Sequence, residues 1–167
     1  AMMHAIGAQN ACPNRQVISL SGDGGFTMMM GEMLTLKQLN LPVKIFVFNN
    51  EELSFIAMEM KASGYLDYAT DFVNPDFGKL AEAAGIKGVS ITNSSEVDEK
   101  IMEALNHNGP VIVNVRVDKQ ELAMPPKIAY QQAKGFSKYL INAILDGRGT
   151  ELKEMAKTNW MKYKSLY

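Results

Sequence analysis

At 167 residues, 47% hydrophobic and 21% charged, the chain is long enough for one domain with a buried core and has ordinary soluble composition. Its formal net charge of −1 gives no bulk electrostatic reason to bind nucleic acid, and no run approaches the roughly 18 apolar residues of a membrane span. Cys12 is the single cysteine, so an internal disulfide is excluded; with no basic-headed signal peptide in view, the reading is cytoplasmic.

In chain order, Ala1 to Ala8 reads as the middle of a helix, with neither a cap nor a preceding strand, which is an unusual start for a complete enzyme. A short β-rich run, Gln16 to Ser21, leads into Ser21-Gly22-Asp23-Gly24-Gly25, and Phe26 to Gln38 then reads as one helix. A second β-rich run, Val43 to Phe48, ends at Asn49-Asn50. Asn74 reads as a helix cap, with Pro75 at the first helical position and Gly85 past the end. Val89 to Ile91 reads as a further strand. Behind Ser95, Val97, Ile101 and Leu105 form a helical stripe, and Gly109-Pro110 introduces a strand over Val111 to Val117. Strands alternating with helices predict an α/β fold with a largely parallel sheet flanked by helices, in which ligands bind beyond the carboxyl ends of the strands.

Asp23 and Asn50 each fall just after such a strand, with Asn50 27 positions after Asp23. That pattern sets a carboxylate and an amide at the ends of two strands, where a hard cation and a diphosphate can be held together. Mg²⁺ takes oxygen ligands and shares them with substrate phosphates, so few protein ligands suffice. Gly24 and Gly25, after the aspartate, let the backbone approach phosphate oxygens, and the N-terminus of the following helix favours the anion. Phe55 and Glu59 are four residues apart and share a helical face just beyond Asn50. His4 and His107 have no metal-ligand spacing with each other or with Cys12, and Met28, Met29, Met30 and Met33 read as helix core.

Gly-Asp-Gly followed at this distance by a double asparagine resembles the signature of thiamine-diphosphate-dependent enzymes. Arg15-Gln16-Val17, Leu41-Pro42-Val43-Lys44-Ile45, Ala57-Met58-Glu59-Met60-Lys61, Lys134-Gly135-Phe136-Ser137 and Ala156-Lys157-Thr158-Asn159-Trp160 extend the likeness to the pyruvate oxidases, and within them to the flavin-containing, quinone-reducing pyruvate dehydrogenases. The resemblance implies a thiamine-diphosphate-binding fold over 1–133, truncated at its N-terminus, and a helical C-terminal tail over 134–167. It implies thiamine diphosphate and Mg²⁺ as cofactors, with FAD carried mainly by an upstream domain. Asp23, Asn50 and the backbone carbonyl of Glu52 are the implied metal ligands, and Gly22, Gly24, Gly25 and Ile56 the cofactor contacts. Phe55 and Glu59 are the implied catalytic residues, although Ser54 stands where close relatives commonly have Gly. The implied reaction is oxidative decarboxylation of pyruvate, to acetate with a quinone as acceptor or to acetyl phosphate with oxygen, by a tetrameric enzyme.

Acetolactate synthase, which shares both motifs, is the alternative enzyme; a non-catalytic nucleotide-binding or assembly domain is the alternative of another class. The last stretch, Arg148 to Tyr167, sets Arg148, Lys153, Lys157, Lys162 and Lys164 against Glu151 and Glu154, with Leu152, Met155, Trp160, Met161 and Leu166 as apolar residues. Such a tail suits peripheral contact with the inner face of the cell membrane. On this reading the 167-residue chain alone is inactive, because the groups that complete the site lie upstream.

Overall fold

The structure is a computed structural model that describes residues 1–121 and 129–165, the side chains of 161–165 excepted. The chain divides into two compact units, Ala1–Glu51 with Val73–Val117, and Glu52–Phe72 with Asp118–Tyr167. This division differs from the 1–133 and 134–167 read from the sequence, because the segment after Glu51 packs with the C-terminal helices.

The first unit is built on four parallel strands in the order β1-β2-β4-β3: β1 (Ile18–Gly22), β2 (Lys44–Asn49), β3 (Lys87–Ile91) and β4 (Val111–Arg116). Helices lie on both faces of the sheet. Towards one, Met2 and Ala5 of α1 (Met2–Ala11), Phe26 of α2 (Asp23–Thr27), Met33 and Leu36 of α3 (Met33–Gln38) and Phe77 and Ala81 of α5 (Phe77–Ala83) bury against Ile45, Val47 and Ile112. Towards the other, Val97, Ile101 and Leu105 of α6 (Val97–Asn106) pack on Phe46, Val89, Val111 and Val113. The predicted α/β fold with a parallel sheet and flanking helices is therefore the fold observed.

Two predicted helices differ. Phe26 to Gln38 is not one helix: α2 ends at Thr27, Met29 leaves helical geometry at φ −130°, and a 3-10 turn over Met30–Glu32 precedes α3. Gly31, a poor helix former, lies in that break. Met28 and Met29 are consequently exposed; of the four methionines read as core, Met33 is buried and Met30 packs partly against the same cluster. Nor does Asn74 cap α5. The cap is Asp76, whose Oδ1 accepts from the N–H groups of Gly78 and Lys79 at 2.9 and 3.2 Å and whose carboxylate also receives the Ser90 hydroxyl. At the opposite end of the sheet from Asp23, the buried Lys44 ammonium donates to the carbonyls of His107 and Gly109, both at 2.6 Å, and burial pushes its pKa down.

The second unit holds α4 (Ser54–Ala62), α7 (Tyr130–Leu145) and α8 (Gly149–Ser165). Tyr139, Ala143 and Met155 form its core, with Leu152, Phe136, Leu140 and Leu66 packed against them. Lys61 is buried beside Asp67 and Glu151, and Arg148 reaches both carboxylates, so two cations and two carboxylates offset one another inside the unit. The tail is helical as expected. Leu152 and Met155 turn inward, however, which leaves Trp160, 65% exposed, as the outward large apolar residue of 148–160; Met161 and Leu166 lie outside the described side chains. Two of the residues on which a membrane contact rested are thus used for packing. Among the described residues no helix is long and apolar enough to cross a membrane.

Candidate functional site

Strand register creates the site. Gly22, the last residue of β1, pairs with Phe48, so the next residues along the two neighbouring parallel strands are Asp23 and Asn49. Both are buried, Asp23 to 3% and Asn49 to 1% exposure, at the carboxyl edge of the sheet where α/β folds take ligands. A buried carboxylate must be satisfied. Oδ1 of Asp23 accepts the N–H of Gly24 at 2.8 Å; Oδ2 accepts the N–H of Glu51 and the Nδ2 of Asn74, each at 2.8 Å.

Asn74 also donates to Oδ1 of Asn49 at 3.0 Å, and Nδ2 of Asn49 donates to Oδ1 of Asn114 on β4 at 3.0 Å. Glu51 adopts the left-handed conformation, φ 59°, which is uncommon away from glycine and turns its N–H onto Asp23. Its carboxylate pairs with Arg116 at 2.7 Å. That hydrogen bond raises the Arg116 pKa against the effect of burial, and the negative charges of Glu51 and Asp23 add to it. Among the described residues Asp23 itself has no ion-pair partner within 4 Å.

This carboxylate fits a hard cation. An ionised carboxylate offers about four lone-pair sites; three are taken by the donors above, which leaves one on Oδ1. No three His, Cys, Asp or Glu side chains cluster in a metal-holding arrangement among the described residues; beside the Asp23 carboxylate stand amides and backbone carbonyls. Oxygen donors of that kind suit Mg²⁺ and not a softer ion. Beside them, Gly22 and Gly25 are exposed, and a Cβ at either would meet nothing within 4 Å, so the backbone is open to a phosphate group. Gly24 is buried and its N–H points to Asp23. Gly25, in the first turn of α2 where amides lack helical acceptors, is the better placed donor. With α2 only five residues long, individual N–H groups matter here more than a helix dipole.

Asn50 directly follows Asn49, is partly buried, and immediately precedes the Glu51 N–H that reaches Asp23. Asp23, Asn50, Gly22, Gly24 and Gly25 thus lie in the first unit. Glu52, Phe55, Ile56 and Glu59 lie in the second. There Glu52 is 6% exposed and bridges to Asp71; burial raises its carboxyl pKa, with Lys61 and Lys119 opposing. On α4, Ala57 and Lys61 face inward while Phe55, 73% exposed, Ile56 and Glu59 face outward, so Phe55 and Glu59 do share a face.

Two members of the amide network are not evident as site residues in the sequence. Asn74 reads there as a cap, because Asn-Pro before a helical stretch is a cap signal. Asn114 carries a usable signal: it is the one polar residue inside Val111 to Val115, and a lone amide in an otherwise apolar interior strand needs a partner. Replacing Asn49 by Ala strips Asn114 of its donor and Asn74 of one acceptor, both in buried or half-buried surroundings. The expected cost is about 1–3 kcal/mol of stability, read from denaturant midpoints of Asn49→Ala against wild type; an unchanged midpoint means the network does not form.

Residues 1–115 match the family profile described as thiamine pyrophosphate enzyme, C-terminal TPP binding domain. Among curated relatives, a Bacillus subtilis protein, YdaP, described as thiamine pyrophosphate-containing, is 38% identical over 92% of this chain and 27% of its own length. The mitochondrial acetolactate synthase catalytic subunit of Saccharomyces cerevisiae is 40% identical over 72% of this chain and 18% of its own. Acetolactate synthase isozyme 2 large subunit of Escherichia coli is 37% identical over 72% of this chain and 22% of its own. The chain therefore spans about a quarter or less of the length of these relatives.

Proposed function

This chain belongs to the thiamine pyrophosphate enzymes, as their C-terminal TPP-binding domain, and from that premise we propose that it holds the metal and the diphosphate in an enzyme that decarboxylates a 2-oxo acid, pyruvate in the first instance. The observation that carries the proposal is the buried Asp23 carboxylate, with three donated hydrogen bonds and one lone pair left, next to open glycine backbone. Asp23 and the Asn50 amide, with the Glu52 carbonyl, are the proposed ligands of Mg²⁺. Gly25 and Gly22 present backbone to the diphosphate. Phe55, Ile56 and Glu59, exposed on α4, are proposed to contact the reacting part of cofactor and substrate. Thiamine diphosphate supplies the electron sink that decarboxylation of a 2-oxo acid requires. The chain's own part is to bind, orient and neutralise.

For the fate of the two-carbon unit, the names of the relatives favour its transfer to a second 2-oxo acid, giving acetolactate, over the oxidation that the pyruvate-oxidase resemblance implies. Oxidation stays as a second reading on the likeness of Lys134-Gly135-Phe136-Ser137 and Ala156-Lys157-Thr158-Asn159-Trp160 to the pyruvate oxidases. Similarity to the Bacillus protein covers 92% of the chain against 72% for the acetolactate synthases, so it takes in sequence that the synthases do not match. In that reading FAD held by another domain would supply the electron acceptor for the two-carbon unit, with a quinone or oxygen as terminal acceptor.

Product analysis decides between them. The intact enzyme, supplied with pyruvate, thiamine diphosphate, Mg²⁺ and FAD, is expected to release CO₂ and acetolactate; acetate or acetyl phosphate, with reduction of an added quinone or of oxygen, establishes the oxidative reading instead. Absence of CO₂ release with every acceptor defeats both.

A further inference from the structure

We infer that Asn74 is a positioning residue for the metal site, holding the Asp23 carboxylate and the Asn49 amide in fixed orientation through the two protons of one side-chain nitrogen. The inference rests on the proposed metal role of Asp23. Its basis is an ordered chain of donors. An ionised carboxylate only accepts, so the group that Asn74 presents to Asp23 at 2.8 Å is its NH₂. The second proton of that NH₂ goes to Asn49 at 3.0 Å, which makes the Asn49 oxygen face Asn74 and its nitrogen face Asn114, the bond observed at 3.0 Å. One carboxylate thus fixes the sense of three amides, drawn from the end of β2, from β4 and from the segment before α5.

Local sequence frees Asn74 for this task. Pro75 keeps the residue before it out of the helical region, and Asp76 takes over the cap of α5, so the Asn74 side chain is not drawn into capping. The bond falls on Oδ2, the oxygen that also receives Glu51, and leaves the open lone pair on Oδ1. Without it, the carboxylate keeps one backbone donor on each oxygen and gains freedom to rotate, and the Asn49 side chain loses its link to Asp23. Partners that orient a metal ligand typically change metal affinity by 10–100-fold when removed.

The test is calorimetric titration of the intact enzyme with Mg²⁺ at saturating thiamine diphosphate, together with thermal unfolding without metal. Asn74→Ala and the near-isosteric Asn74→Leu, which keeps volume and removes both donors, are compared with Asp76→Ala and Asp23→Ala. Both Asn74 variants are expected to bind Mg²⁺ about 10- to 100-fold more weakly, while Asp76→Ala, a lost helix cap, lowers the unfolding midpoint and leaves Mg²⁺ affinity unchanged. Wild-type affinity in the Asn74 variants, with Asp23→Ala impaired, overturns the inference alone. Equal weakening by Asn74 and Asp76 variants also overturns it, since Asn74 then acts only through the fold. Unimpaired Mg²⁺ binding by Asp23→Ala overturns the metal assignment itself.

Discussion

Asp23→Ala in the intact enzyme is expected to abolish Mg²⁺-dependent binding of thiamine diphosphate. The substitution removes the buried carboxylate at this edge of the sheet, so the diphosphate and its cation lose a charged anchor in the protein. Breaking a buried, hydrogen-bonded charge arrangement by deleting one side typically costs about 3–5 kcal/mol, on the order of 10²- to 10³-fold or more in affinity at 1.4 kcal/mol per decade. Alanine also strands the N–H of Glu51 and the Nδ2 of Asn74, and part of the loss is structural. Asp23→Asn separates the two, because its amide oxygen still accepts hydrogen bonds while the charge is gone. Calorimetric titration should therefore find both variants severely impaired. Near wild-type affinity in Asp23→Asn would mean that the charge is not what holds the metal.

The second large effect is expected in the second unit, at Gly135 on α7. A Cβ there would sit 1.9 Å from the carbonyl oxygen of Ala62 and 2.8 Å from its carbon, and both are backbone atoms that no rotamer change can move. On an exposed helix, Gly→Ala stabilises by about 1 kcal/mol. Here the helices α4 and α7 must part instead, and overpacking of this severity costs about 3 kcal/mol or more. The sign of the change is therefore itself a test. Chemical denaturation of Gly135→Ala should show a lower midpoint than wild type, and a raised midpoint would mean that α7 does not lie against the end of α4. Because α4 carries Phe55, Ile56 and Glu59, the same variant should disturb the residues proposed to meet the substrate.

What the sequence made legible follows from how each signal is written. Glycine and asparagine mark the ends of β1 and β2 unambiguously, since an acidic residue between glycines and a double amide both follow β-branched runs. The stripe Val97, Ile101, Leu105 packs as its spacing predicted. Asn74 was illegible because its neighbours, Pro75 and Asp76, write the same helix-start signal whether the asparagine or the aspartate does the capping; only the three-dimensional approach of Asp23 decides. The break after Thr27 was hidden for a different reason. Met28, Met29 and Met30 are good helix formers, and nothing local in them reveals that Met29 leaves the helix. In the tail, the spacing of Leu152 and Met155 is compatible with a bilayer or with a protein partner, and it is Tyr139 and Ala143 of α7 that they meet.

The most direct test of the metal and diphosphate site is a crystal structure of the intact enzyme grown with thiamine diphosphate and Mn²⁺ in place of Mg²⁺, located by its anomalous scattering. One manganese peak is expected at direct-ligand distance from Oδ1 of Asp23 and from the Asn50 amide oxygen, with the diphosphate against the backbone of Gly22 and Gly25 and with Asn74 still hydrogen-bonded to Oδ2 of Asp23. A manganese peak on other residues, with Asp23 free of metal, would contradict it.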